Sequence, residues 1–510
     1  MNSQGALAAD AVALESDGRF ERLLERGTVG ALALFVLAAP HSIAVTQTAF
    51  ILGLLLWIAR MVVARRPLFV RTAVDLPLLV FVGWTAVSVA TSLDPAWSLS
   101  RMRGVSLVII MYLFAANVPT RRVAWMLSLA LMVSVAGNLW WTYLERAQGR
   151  GVKIVTMGAS PLKKWGVIPG DTILEVAGKP VHDLDSLNAA FEGDRGREMI
   201  NVRFTHGESD ETRSYRRGRV LREGSGAERL AVTVAPGRDF RARAFFSHAA
   251  TYAETLQLIA SMIAAWVVCG MLRDRKWALW LAFLLALTIG ALVQTQTRAP
   301  IVAFGLALPA MVLLRGAGRR VLVGAGVATV VLFLVGGWFI FRGREVALVN
   351  PTDESTQWRL TVWREALPIL AAHPLFGIGP DAAKYRAGEL QLFEGGKLPP
   401  GHFHSTPLQI AVDRGIPALL AWIAFVVMLL VSLARLARRL ADQEAEAGGD
   451  WRVTATVLGA WGGLLGFFAS SLVHFNWGDS EPMQLAWAVA GIAFAVMRIE
   501  KTEEAARELR

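Results

Sequence analysis

The sequence predicts an all-α polytopic membrane protein of about 12 transmembrane helices, with one small α+β domain inserted. Three observations carry this. Of the 510 residues, 54% are hydrophobic, too many for an ordinary soluble chain. Repeated apolar runs reach the ~18–20 residues that cross a bilayer. The short loops between them alternate between arginine-rich and arginine-poor. Helices are the expected spanning element because lipid offers backbone N–H and C=O groups no partner, and a helix satisfies them internally.

Residues 1–28 are polar and amphipathic, lack the apolar core and cleavage site of a signal peptide, and read as a cytoplasmic arm. Helices are then expected near 29–47, 48–64, 75–92, 104–119, 123–143, 249–271, 277–295, 299–314, 321–341, 408–434, 453–473 and 481–497. Pro40 and His41 interrupt the first pair. One set of loops holds Arg60, Arg65, Arg66 and Arg71, then Arg121 and Arg122, Arg273, Arg275 and Lys276, Arg315, Arg319 and Arg320, and Arg435, Arg438 and Arg439. The tail 498–510 adds Arg498 and Lys501. The positive-inside rule makes this set cytoplasmic, with both termini. Most of the net charge of +11 is then topogenic and does not point to nucleic acid. The single cysteine, Cys269, lies in an apolar run; it excludes an internal disulfide and reads as a packing residue.

Two long segments, 144–248 and 342–407, fall on the opposite face, which in a diderm bacterium is the periplasm. In the first, strands are expected at 152–156, 172–176 and 199–205, with a helix from Leu184 to Phe191 capped by Asp183 or Asp185. The stretch from Ser160 to Val181, with Gly166, Pro169, Gly170, Asp171, Ile173, Leu174, Gly178, Lys179 and Pro180 in place, resembles a bacterial PDZ domain. The resemblance gives a core at about 151–206 and implies binding of an extended peptide by strand addition. No Gly-Leu-Gly-Phe-type carboxylate loop accompanies it, and a purely structural or docking insert is the other reading.

The polar residues gather at the same face as these inserts. Arg298 opens an apolar helix on the cation-poor side, flanked by Thr295, Thr297 and Pro300. It either snorkels to headgroups or offers a planar fork to phosphate. Arg101 and Arg103 pose the same choice. Arg359 and Trp363 fall one turn apart on a helical stretch, and HPLFGIGP at 373–380 is a compact turn. Two of only eight histidines, His402 and His404, stand just before a helix that starts near Leu408. Two are too few for a zinc site, and a helix-capping role is possible; the best use of His404 is as a general base, since neutral imidazole takes a proton near pH 7.

These residues carry a resemblance across most of the membrane part. His404-Ser405, nine residues, then Gly415 is similar to the H-[N/S/Q]-x9-G pattern of the O-antigen ligase and O-antigen polymerase superfamily. Arg359, Trp363, Pro374, Gly377 and Gly379 match its R-x-x-x-W segment and the turn after it, and Arg298 lies at the helix junction where the family carries an arginine. The resemblance implies a GT-C-like membrane glycosyltransferase that moves a glycan from undecaprenyl diphosphate to an acceptor hydroxyl at the periplasmic face of the inner membrane, with inversion. His404 is then the base. Arg298 and then Arg359 stabilise the leaving diphosphate, with Arg101, Arg103 and His402 as further substrate contacts and no metal or other cofactor. Lipid A–core is the acceptor of a ligase and a second lipid-linked repeat that of a polymerase; a polypeptide acceptor is a third form. From a different class, a membrane adaptor using the PDZ-like insert is the alternative, and a transporter is disfavoured because ionisable residues avoid the helix interiors.

Overall fold

In this computed structural model the described residues are 3–509, except 161, 164–165, 193–197, 207–208, 217–227, 229–230, 239, 272, 345–353 and 397–400. The chain divides into two compact units, Met1–Asn138 with Arg243–Arg510, and Leu139–Ala242.

The first unit is helical. Before the insert it holds α1 (Ser3–Ala38), α2 (Ile43–Ala64), α3 (Asp75–Ala90), α4 (Pro95–Arg101), α5 (Ile109–Asn117), α6 (Arg121–Ser134) and the start of α7 (Ala136–Gln148). Ten helical stretches among the described residues are long and apolar enough to span a membrane. This is a multi-pass membrane protein. The sequence reading counts two more, because α1 continues the N-terminal segment as one helix and α3 has only 16 residues. The first break also moves: Pro40 ends α1 early, and the Ser42 hydroxyl caps α2 through the Val45 N–H. His41 is absorbed there, its Nε2 2.7 Å from the Ser134 carbonyl.

The second unit is a six-stranded antiparallel sheet: β1 (Val152–Met157), β2 (Thr172–Val176), β3 (Lys179–Pro180), β4 (Met199–His206), β5 (Ser209–Arg216) and β6 (Val232–Pro236). The order is β5-β4-β2-β1-β6, with β3 on β2. Helix α8 (Leu184–Glu192) starts at the Asp183 cap, whose Oδ1 accepts the Ser186 N–H at 2.8 Å. Alternating inward residues, among them Ile154, Ile173, Val176, Leu187, Val202 and Phe204, make its core. Strands β5 and β6 extend the sheet beyond the expected 151–206.

The chain then returns through α9 (Ala249–Gly270), α10 (Arg275–Gln294), α11 (Arg298–Arg315) and α12 (Arg319–Arg344). Helix α13 (Glu354–Ala372) and the short α14 (Ala382–Tyr385) lead to α15 (Thr406–Ala447), α16 (Trp451–Ser470) and α17 (Ser480–Glu508). Helices α9, α16 and α17 form the centre: the apolar window of α9 is 89% buried, whereas those of α2 and α12 are 17% buried and keep their apolar faces outward for lipid. Small residues let α16 approach α9. A Cβ on Gly459 would sit 2.8 Å from Met262 Cα, and one on Gly463 3.1 Å from the Leu258 carbonyl oxygen. That spacing of four is the small-residue packing used inside membranes.

Helix α15 is broken at Gly415, with φ 83° and ψ 171°. The turn 373–381 docks into the break: the Ile378 N–H donates to the Val412 carbonyl, the Gly379 N–H to that of Asp413, and the Ile416 N–H to that of Pro374. A Cβ on Gly415 would lie 2.1 Å from the Leu375 oxygen. Gly415→Ala should therefore cost about 2 kcal/mol or more in stability, from backbone strain and the displaced turn. Gly388→Ala, where nothing lies within 4 Å, is the control. Thermal melting of the detergent-solubilised variants checks this; equal melting temperatures would refute the docking.

Candidate active site

The opening turn of α15 gathers side chains from several elements. Helix α13 contributes Trp358, Arg359 and Trp363. The Trp363 indole N–H donates to the Phe403 carbonyl at 2.7 Å, and the Phe403 N–H donates to Gln409 Oε1 at 3.0 Å. Phe403 is thus fixed on both sides and fully buried. Its neighbours are fixed with it. His404 takes a left-handed backbone, φ 47°, tolerable for histidine but uncommon. Its N–H donates to His402 Nδ1 at 3.2 Å, and the two rings lie 4.1 Å apart, centre to centre. Trp358 meets the His404 ring edge-on at 4.8 Å. Ser405 then takes the cap position, and the Thr406 N–H is held by the carbonyls of Ser471 and His474.

Burial and neighbouring positive groups keep both imidazoles neutral. His404 is pushed down to about 2 by burial, then by His402, Arg359 and His474. His402 is pushed down to about 4 by burial, then by His474, Lys384 and Arg359. The His402 Nδ1 already accepts a hydrogen bond, so this ring orients the segment. His404 and Arg359 are therefore brought together, a proton acceptor beside a fixed cation.

Below them is a buried charge network. Asp413 accepts from Gln409 Nε2 at 3.0 Å and from the Asp381 N–H at 3.2 Å, and Arg414 Nη1 lies 3.4 Å from it. Arg101 pairs with Asp381 at 3.0 Å and stacks over Trp97 at 4.6 Å. Burial raises Asp381, partly offset by Arg101. Arg101 thus has a carboxylate partner inside the protein. Arg103 lies in the 3-10 turn Met102–Val108, its side chain outside the described residues. Arg298 opens α11 half-buried, after a buried turn in which Gln296 is left-handed at φ 54°. Lys397, Pro399 and Pro400 lie outside the described residues.

Sequence reasoning missed Glu254. It is 2% exposed on α9, with Oε1 2.9 Å from His474 Nδ1. The expectation that helix interiors avoid ionisable groups fails at this residue. The signal was available: a single acid inside an apolar span is a functional candidate. Arg414 and the partners of Asp413 were also missed, since only folding brings 381 to 413.

Residues 281–423 match the family described as O-antigen ligase. This segment supports a relationship to the O-antigen ligase superfamily. The matched segment holds Arg298, Arg359, the 373–381 turn, both histidines and Gly415; Arg101, Glu254, His474 and the insert lie outside it. A search of curated proteins finds no match. The family supports a ligase- or polymerase-type membrane glycosyltransferase, with lipid-linked glycan and membrane as its partners.

The neutral histidines give a pH signature. A histidine with a lowered folded pKa binds fewer protons folded than unfolded, so stability is full above the unfolded value near 6.5 and falls as pH drops below it. The loss continues to about 4 for His402 and about 2 for His404. The melting temperature should fall from pH 7 to pH 5, and less in His404→Asn, which suits the left-handed backbone. An identical pH slope in that variant would count against a buried neutral His404.

Proposed function

We propose that the protein transfers a glycan from undecaprenyl diphosphate to an acceptor hydroxyl, with lipid A–core as the acceptor, at the periplasmic face of the bacterial inner membrane. The observation that carries this is the placement of the Arg359 cation near His404, just before the first turn of α15, within the segment matched as O-antigen ligase. A polyprenyl donor stays in the bilayer, so its diphosphate is presented at the membrane boundary, where these residues lie at the end of a spanning helix.

In this reading the acceptor hydroxyl gives its proton to His404 as its oxygen attacks the anomeric carbon. The glycosidic bond to diphosphate breaks, the electron pair leaves with the diphosphate, and a single displacement inverts the anomeric centre. Arg298 and Arg359 stabilise the charge that develops on the leaving group; fixed cations in a water-poor site are effective there. The neutral imidazole is the form that can accept the proton, and the bound diphosphate has to raise its affinity for that proton towards the working pH. Arg101 has the secondary task of holding the 373–381 turn through Asp381. His402 orients the acceptor side of the loop.

Lipopolysaccharide from a deletion strain, complemented with wild type, His404→Ala or Arg298→Ala at equal membrane levels, tests this. The expected result is rough lipopolysaccharide and accumulated lipid-linked polymer in the deletion. Each variant should fail to rescue, with activity down by about 10²-fold or more. Accumulated single repeat units would make the protein a polymerase. Unchanged lipopolysaccharide and lipid pools would remove both forms and leave a protein acceptor or an adaptor role of the insert. Activity of the purified enzyme should survive EDTA.

A further inference from the structure

Glu254 has no packing reason to be an acid. It is buried on α9, and its Oε2 has no hydrogen-bond partner among the described residues. A buried carboxylate is costly unless paired, and an apolar side chain would fill the same space without that cost. Its Oε1 meets His474 Nδ1 at 2.9 Å. The neighbouring acid, Asp479, is taken up by the Thr251 hydroxyl at 2.8 Å.

His474 does not need this pair to stay in place. Its carbonyl accepts from the Thr406 N–H at 3.0 Å and from the Thr406 hydroxyl at 3.1 Å. The same turn is tied down by Ser471 and Asn476. Main chain and Asn476 therefore fasten segment 471–476 to the first turn of α15, and the side-chain pair is surplus to that task. The other charged groups that act on His402 and His404 are cations, Arg359 and Lys384.

We propose that Glu254, acting through His474, is a positioning residue for the transfer: its carboxyl group holds the His474 ring and fixes which of its nitrogens carries the proton beside His404. This rests on the reading of His404 as the base. With Nδ1–H donated to Glu254, the Nε2 of His474 is left as an acceptor. In the step itself the acceptor oxygen bonds to the anomeric carbon, the bond to diphosphate breaks with its electron pair, and the acceptor proton goes to His404. Glu254 exchanges no atom.

The test uses the full-length enzyme in detergent with a lipid-linked glycan donor and a saccharide acceptor. Glu254→Gln keeps the size of the side chain and a hydrogen-bond acceptor for His474 and removes the carboxyl group. Its kcat should fall about 10-fold or more, with KM for both substrates within about 2-fold and an unchanged melting temperature. Glu254→Asp should recover part of the rate. His474→Gln should resemble Glu254→Gln, and the double variant should be no slower than either, because the two act as a unit. Wild-type kcat in Glu254→Gln beside an inactive His404→Asn would overturn this proposal alone. Wild-type kcat in His404→Asn would remove the base, and this proposal with it. A rate loss in Glu254→Gln that follows a lowered melting temperature, with no recovery by aspartate, would reduce Glu254 to a structural residue and overturn the proposal.

Discussion

The site depends on one constraint: a spanning helix is broken at Gly415, and its loose backbone groups must find partners. A break in hydrocarbon is tolerable only where other protein satisfies it. The 373–381 turn does so, exchanging main-chain hydrogen bonds with residues 412–416 in both directions. The contact works only at backbone distance. At Gly377, φ is 65° and a Cβ would press on the Asp413 carbonyl and the Arg414 nitrogen. Two glycines far apart in sequence, Gly377 and Gly415, therefore serve one interface. The carbonyl of Asp413 accepts from both Gly379 and the Ser88 hydroxyl, which brings α3 into the same joint.

The joint positions chemistry because it separates nine residues of α15 from the rest of that helix. This short piece, 406–414, is held at one end by the turn and at the other by Ser471 and His474. The histidines immediately before it inherit that fixity. Phe403 adds to it as a buried plug held by Trp363 and Gln409. Gln409 also reaches Asp413, so one side chain links the histidine segment to the buried charges at the break. A substitution at the break is therefore felt at His404 without any contact between the two.

Much of the fold was legible in the sequence, and for a physical reason: membrane helices announce themselves through length and hydropathy, without needing tertiary information. The strands at 172–176 and the Asp183 cap were equally readable, since alternation and capping are local. Breaks were harder. Gly415 stood in a recognisable pattern, but the pattern did not disclose that it splits a helix. Arg359, His404 and the 373–380 turn were each identifiable, whereas the Asp381–Asp413 link joins residues 32 apart and leaves no local trace. Glu254 was overlooked because its apolar surroundings dominate any window average. That same environment makes it chemically conspicuous once its partner, 220 residues away, is seen.

The charges at the site follow one logic. Arg359, Lys384 and the two imidazoles make a positive and proton-repelling corner, which suits the arrival of a diphosphate and keeps the base unprotonated before reaction. The same corner opposes the product of proton transfer, an imidazolium. An incoming diphosphate eases this opposition, but its charge is being drawn to the arginines as it leaves. Timing therefore matters: the proton must reach His404 while the diphosphate is still beside it, since the anion raises the affinity of the imidazole for a proton whereas burial and the neighbouring cations lower it.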